Sequence, residues 1–261
     1  MNYTISDPSM HVKVNELADH IASWTSVLGD LDGKRILDFG CGGGFTAFGM
    51  ATRFPNATVI GIDVNSESDQ LLQNLQKYSS LTELPPNLKF YTIRPGEKIP
   101  DRPYDMMFSW SVFEHVHLSI LDSILQDMND ALNSDGGLFV QIAPLFFSPE
   151  GSHLWEIGLT HWQHLEWQLS DLEGAIRHSP RISRERSQQL WSMFSTLNRI
   201  TPKHLLSRVT ASGFKLVREQ QNKTDAKIPD ALSEVYAEDV LRTFQIVALF
   251  RKMNSADASG T

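Results

Sequence analysis

Arg35-Ile36-Leu37-Asp38-Phe39-Gly40-Cys41-Gly42-Gly43-Gly44-Phe45-Thr46 is the stretch whose reading decides the fold. A short apolar run carries an acid at Asp38 and then gives way to Gly40, Gly42, Gly43 and Gly44. Glycine has no Cβ, so the backbone there can turn sharply and lie close to a ligand. Residues 45–54 read as a helix. Strand, glycine turn and helix start together form a nucleotide-type site at the carboxyl end of a strand in an open α/β sheet.

The kind of ligand follows from two residues. A dinucleotide fingerprint needs Gly or Ala at its third small position, and counting from Gly40 that position holds Phe45. A phosphate-binding loop also has no use for the carboxylate of Asp38, because like charges repel. A ligand with an ammonium and a sulfonium does. The run from Asp38 to Gly44 resembles the first motif of the class I S-adenosylmethionine-dependent methyltransferases, of the small-molecule type, where it faces the methionine half of the cofactor. The resemblance implies S-adenosylmethionine as cofactor, with Asp38, Gly40 and Gly42 beside it.

The rest of the chain reads as strands alternating with helices, and this implies a parallel sheet covered on both faces. Residues 57–63 form a buried strand ending in Asp63. An acid there can grip both ribose hydroxyls, as in dinucleotide enzymes, and the resembling family places its ribose acid at the same point. Ser66 is then the expected cap of a helix over 67–78. Residues 88–93 are a third strand. After it the family carries an acid for the adenine amino group. Here the chain reads Arg94-Pro95-Gly96-Glu97, so the usual acid is either missing or displaced to Glu97.

Residues 104–110 are the fourth strand, and Ser111-Val112-Phe113-Glu114-His115-Val116-His117 leaves its end, resembling the family's fourth motif with its Glu-His pair. A helix over 118–132 leads to a fifth strand at 138–143. A helix over 202–212, a strand over 213–217 and a strand over 243–250 complete the core, the last antiparallel for want of a long crossover. The expected fold is therefore α/β, a doubly wound, seven-stranded, mostly parallel Rossmann-like sheet with a helical insertion after the fifth strand. Its parts are cap helices at 1–33, a cofactor-binding core at 34–143 and 202–252, and a helical lid at 144–201. The stripe of Val12, Val14, Leu17, Ile21, Trp24 and Leu28 marks the cap helices, which serve the cofactor or simply pack. The resemblance extends the cofactor set to Val64, Gly96, Ser109 and Trp110.

The composition narrows the function classes. At 261 residues and 41% hydrophobic, the chain can bury the core of one domain. No apolar run is fit to span a bilayer, the start lacks a signal-peptide layout, and the cytoplasm is the expected compartment. Cys41 is the one cysteine, so no internal disulfide forms. A formal charge of -8 argues against nucleic acid as partner. The segment from Asn254 to Thr261 is a small polar tail.

Methyl transfer from a sulfonium is a direct displacement, so holding the reactants in line can supply about 7–11 kcal/mol. A general base adds about 10²–10⁴-fold, roughly 3–5 kcal/mol. The acceptor is expected to be a small molecule, apolar, aromatic or sugar-like, with oxygen as its nucleophile. The alternatives are an N- or C-methyltransferase, or a cofactor-binding protein without turnover. His115 and His153 are the candidate bases, because histidine titrates nearest neutrality. Trp155, His161 and His164 are the candidate acceptor contacts. The spacing of His153, His161 and His164 matches no zinc pattern, and no metal is expected. Trp155, Trp162, Trp167 and Trp191 all fall in the insertion, as its own core or as the wall of a lid. The basic run from Arg177 to Arg186 reads as a solvated face or as a contact for an anionic acceptor.

Overall fold

The computed structural model describes residues 4–254; residues 1–3 and 255–261, most of the polar tail, lie outside the described residues. The strands are β1 (Arg35–Phe39), β2 (Thr58–Asp63), β3 (Leu88–Thr92), β4 (Tyr104–Trp110), β5 (Leu132–Ile142), β6 (Phe214–Lys223) and β7 (Thr243–Lys252). They form one seven-stranded sheet in the order β3-β2-β1-β4-β5-β7-β6. The first five pair in parallel, and β7 runs antiparallel to both β5 and β6. The chain winds outward from β1 to β3 and then returns to lay β4 beside β1. The reversal opens a crevice at the carboxyl ends of β1 and β4, the usual ligand position in such sheets.

Strand alternation divides the core. Ile36, Val59, Met106 and Phe108 face the helices Leu17–Thr25 and Phe45–Arg53. Leu37, Ile60, Met107 and Leu138 face the helices Leu118–Ala131 and Pro202–Ala211. Each side chain of this size contributes about 1.5–3 kcal/mol by leaving water. The N-terminal turns Pro8–His11 and Val12–Glu16 close over the helix Phe45–Arg53. Gly49 permits this contact, since a Cβ there would sit 1.8 Å from the Val14 carbonyl oxygen.

Several elements depart from the sequence reading. The expected helix over 67–78 is a 3₁₀ turn, Glu67–Gln70, followed by a short α-helix, Leu71–Gln76, and Ser66 makes no side-chain capping bond. β5 begins at Leu132, six positions before the expected 138: Leu132 pairs with Tyr104 and Gly137 with Met106, and the residues between them bulge out. β6 runs on to Lys223, its outer residues exposed and polar. Two short helices, Asp230–Ser233 and Glu238–Arg242, lie between β6 and β7.

Residues 144–201 carry the helices Gln163–Glu166, Leu169–Arg177 and Arg184–Thr196. Their own core is Phe146, Leu154, Leu172, Ile176, Leu190 and Phe194. Trp162 is fully buried, donates Nε1–H to the Phe147 carbonyl (3.0 Å), and packs on Ile228, Leu232 and Leu241. Trp155 is exposed. In the basic run, Arg177 pairs with Glu173 and Arg186 with Glu156, as on a solvated helix face.

Candidate functional site

The glycine turn after β1 folds back on β2. Gly40 and Cys41 both donate their N–H to the Ile62 carbonyl, at 2.8 and 3.0 Å. Gly40, Gly42 and Gly44 hold φ of 77°, 49° and 78°, a region costly for residues with a Cβ. At Gly40 the need is double, because a Cβ would lie 2.4 Å from Val112 Cγ2. The turn therefore touches the segment after β4, and the two walls of the crevice meet there.

Asp38 is 3% exposed. Its carboxyl accepts the Ala47 N–H, one of the orphan donors in the first turn of the helix Phe45–Arg53. The second carboxylate oxygen has no partner. Burial, and then the charge of Asp63, raise its pKa well above the usual carboxylate range. A buried carboxylate in this state lacks a cation, which the ammonium and sulfonium of S-adenosylmethionine would supply. The residues present fit that group. Asp63 accepts the Gly42 N–H (2.8 Å) on one oxygen and the Asn65 N–H (2.9 Å) on the other. It braces the turn, and each oxygen keeps a lone pair for a hydroxyl.

The remaining cofactor candidates differ in their exposure and partners. Val64 is exposed just beyond Asp63. Gly96, at φ 78°, and Glu97 line a cavity of about 180 Å³ with Phe39, Ile99 and Ile124, and Glu97 Oε2 accepts the Arg94 N–H at 2.8 Å. Ser109 is fully buried, its hydroxyl donating to the Phe39 carbonyl (3.1 Å), so it ties β4 to the end of β1. Trp110 stacks on Phe139 with ring centroids 6.2 Å apart, on the face covered by the N-terminal helix.

At the other wall, Ser111 turns the chain with φ 52°, its hydroxyl bonded to Gln141 Oε1 (3.0 Å). Glu114 follows, 2% exposed, with neither carboxylate oxygen partnered, and burial pushes its pKa up to about 8. His115 is exposed, and its ring meets that of His153 edge-on at 5.2 Å. Desolvation lowers the pKa of both histidines, His153 to about 4 with His115 adding to the effect, so both are neutral at pH 7. His153 sits at φ 57°, with Nε2 at 3.3 Å from the Pro144 carbonyl and its ring stacked on Trp155. One carboxylate oxygen of Glu114 and one ring nitrogen from each of His115 and His153 lie within 4.8 Å of one another.

Sequence reasoning notes the Glu-His pair but assigns Glu114 no task. It also misses Asn198, whose side-chain N–H groups donate to the carbonyls of Phe113 and Val116 (2.8 Å to the latter) and whose backbone N–H donates to the Glu114 carbonyl (2.9 Å). Through it the end of the insertion is latched to the loop after β4. His161 stays on the surface, 3.0 Å from Glu150. His164 is buried in the insertion, its Nε2 2.7 Å from the Phe146 carbonyl.

A parallel sheet of this order with an antiparallel β7, a glycine turn after β1 and an acid ending β2 define the class I methyltransferase fold. The chain belongs to the methyltransferase-domain family, whose model matches residues 14–219, and S-adenosylmethionine is the cofactor that goes with it. Trans-aconitate 2-methyltransferase of Streptomyces coelicolor is 25% identical over 184 residues, 70% of this chain and 51% of that protein. Ubiquinone biosynthesis O-methyltransferase of Paracidovorax citrulli is 32% identical over 95 residues, 36% of this chain and 37% of that protein. The matched regions span about half or less of the length of these curated relatives. Magnesium protoporphyrin IX methyltransferase of Synechocystis, solved with bound SAH, superposes with TM-score 0.56 at 15% identity, covering 93% of this chain and 84% of that one. A methyltransferase of Methanosarcina mazei superposes with TM-score 0.56 at 15% identity, covering 88% and 97%. These structures share the fold. Among the described residues no helix is long and apolar enough to cross a membrane.

Proposed function

We propose that this chain transfers a methyl group from S-adenosylmethionine to an oxygen of a small-molecule acceptor bound beneath the insertion. The observation that carries the reading is the neutral His115–His153 pair, which sets the segment after β4, where Val112 lies against Gly40, edge-on to the insertion. Asp38 faces the methionine end of the cofactor, Asp63 its ribose, and Gly96 with Glu97 its adenine. The cofactor supplies an electrophilic methyl on a sulfonium leaving group. The protein's part is alignment, which outweighs what a base adds.

His115, which is exposed, takes the proton of the acceptor hydroxyl, and His153 holds its ring edge-on. Trp155, stacked on His153 at 5.6 Å and 54% exposed, offers a flat apolar wall to an aromatic or sugar-like acceptor. A relative named as an O-methyltransferase supports oxygen as the acceptor atom. The insertion acts as the lid, with Asn198 as its latch.

The test is methyl transfer from labelled cofactor across a panel of hydroxylated aromatic and sugar-like acceptors. With an acceptor in hand, His115→Ala and His153→Ala should each lose at least about tenfold in single-turnover rate. Full rates in both, with cofactor binding intact, would leave positioning alone as the mechanism.

A further inference from the structure

The loop after β4 and the insertion deliver three side chains of ligand type to one point. A carboxylate oxygen and two imidazole nitrogens lie within 4.8 Å of one another, and the carboxylate is 2% exposed with no hydrogen-bond donor on either oxygen. A leucine or methionine would fill the same volume without burying an unpartnered carboxyl group, which is unfavourable unless the group is paired or neutralised. A group held at that cost is expected to meet a cation. We propose that Glu114, His115 and His153 form a site for a divalent cation of the zinc class at the acceptor end of the crevice. The inference rests on the reading that this end of the crevice receives the acceptor.

The donor set selects the cation. Two imidazoles and one carboxylate suit zinc and its transition-metal neighbours, whereas calcium and magnesium favour oxygen cages. Three protein ligands leave a fourth position open, as in catalytic rather than structural zinc sites. Tetrahedral bonds of about 2.0–2.1 Å would bring the donor atoms about 3.3 Å apart. His115 is exposed and has room to close that gap.

The supports of the site are already in place. The His153 ring donates Nε2–H to the Pro144 carbonyl at 3.3 Å, which orients the ring and leaves the lone pair on Nδ1. The Glu114 backbone is held by the N–H of Asn198. With a cation present, an acceptor hydroxyl at the open position loses its proton to water more readily, as zinc-bound water does. With the cation bound, the two imidazoles act as its ligands, and the lowered pKa of the bound hydroxyl takes the place of the proton transfer that His115 makes in the metal-free chain. The acceptor oxygen forms its bond to the methyl carbon as the sulfur–methyl bond of the donor breaks.

The experiment uses the full chain, stripped with chelator and dialysed, then titrated with Zn²⁺ and in parallel with Co²⁺. SAH affinity is measured on the same samples. The expected result is one cation per chain, with Co²⁺ developing the visible absorption of a four-coordinate site. Glu114→Gln and His115→Ala should each weaken Zn²⁺ binding by at least about tenfold, as the loss of a ligand must if outer-shell losses alone cost 10–100-fold. His204→Ala, on an exposed side chain outside the cluster, should leave it unchanged. No stoichiometric Zn²⁺ binding, or binding unmoved by either ligand variant, overturns the site. If Glu114→Gln does not fold, His115→Ala decides alone. Absent Zn²⁺ binding with SAH binding intact removes only the cation, whereas absent SAH binding removes the reading beneath it.

Discussion

Asp38→Asn separates binding from stability, and the two effects carry opposite signs. Asp38 is buried, gives one oxygen to the Ala47 N–H and leaves the other unpartnered. Asparagine keeps the shape and the Ala47 contact but removes the charge. Breaking a buried ion pair by deleting one partner costs about 3–5 kcal/mol, so affinity for S-adenosylmethionine should fall by roughly two to four decades. Without cofactor the sign reverses. Burial and Asp63 raise the folded pKa above the ordinary 3.8, so between these two values the folded chain binds more protons than the unfolded one. Stability therefore falls as pH rises through that window, and the carboxylate is a net burden above it. The amide of the variant does not titrate and contributes no such slope. Urea midpoints measured from pH 4 to pH 7.5 should show the wild type losing stability relative to the variant, while calorimetry shows the variant failing to bind. A variant that binds within about tenfold of wild type, or that is less stable than wild type at neutral pH, would refute the assignment of Asp38 to the cation.

Three further outcomes follow from the packing. Gly40→Ala places a Cβ 2.4 Å from Val112 at φ 77°; overpacking costs about 1–3 kcal/mol, so the melting temperature and SAH affinity should fall together. Trp162→Ala should cost about 3–5 kcal/mol in a denaturant melt while SAH affinity persists in the folded fraction, because Trp162 joins the insertion to Ile228, Leu232 and Leu241 rather than to the crevice. Asn198→Ala leaves the carbonyls of Phe113 and Val116 unpaired at about 1–3 kcal/mol, and limited proteolysis within residues 144–201 should speed up with SAH binding unchanged.

Where buried strands and glycines carry the signal, the fold is legible in the sequence. The β1 turn needs Gly40, Gly42 and Gly44 for their positive φ, and β2 and β4 are buried on both faces and read as apolar runs. The sequence pattern of β6 stops at 217 because Arg218, Glu219, Gln220 and Gln221 lie on an exposed edge, where no apolar alternation is required and only pairing with β7 reveals the strand. After β2 the expected helix starts on time at Glu67 but is split into a 3₁₀ turn and the short helix Leu71–Gln76, and Ser66 makes no side-chain capping bond. The expectation of no metal weighs the spacing of His153, His161 and His164 along the chain. In space His153 meets Glu114 and His115, while His161 and His164 turn to Glu150 and the Phe146 carbonyl. That convergence is tertiary, and local spacing does not encode it.

Equilibrium binding of SAH and of NADH to the wild-type chain tests the central claim most directly, because the two ligands ask opposite things of the glycine turn. The expected result is saturable SAH binding at one site per chain, abolished or strongly weakened by Asp63→Ala, and no comparable affinity for NADH. Tight NADH binding, or SAH binding indifferent to Asp63, would contradict it.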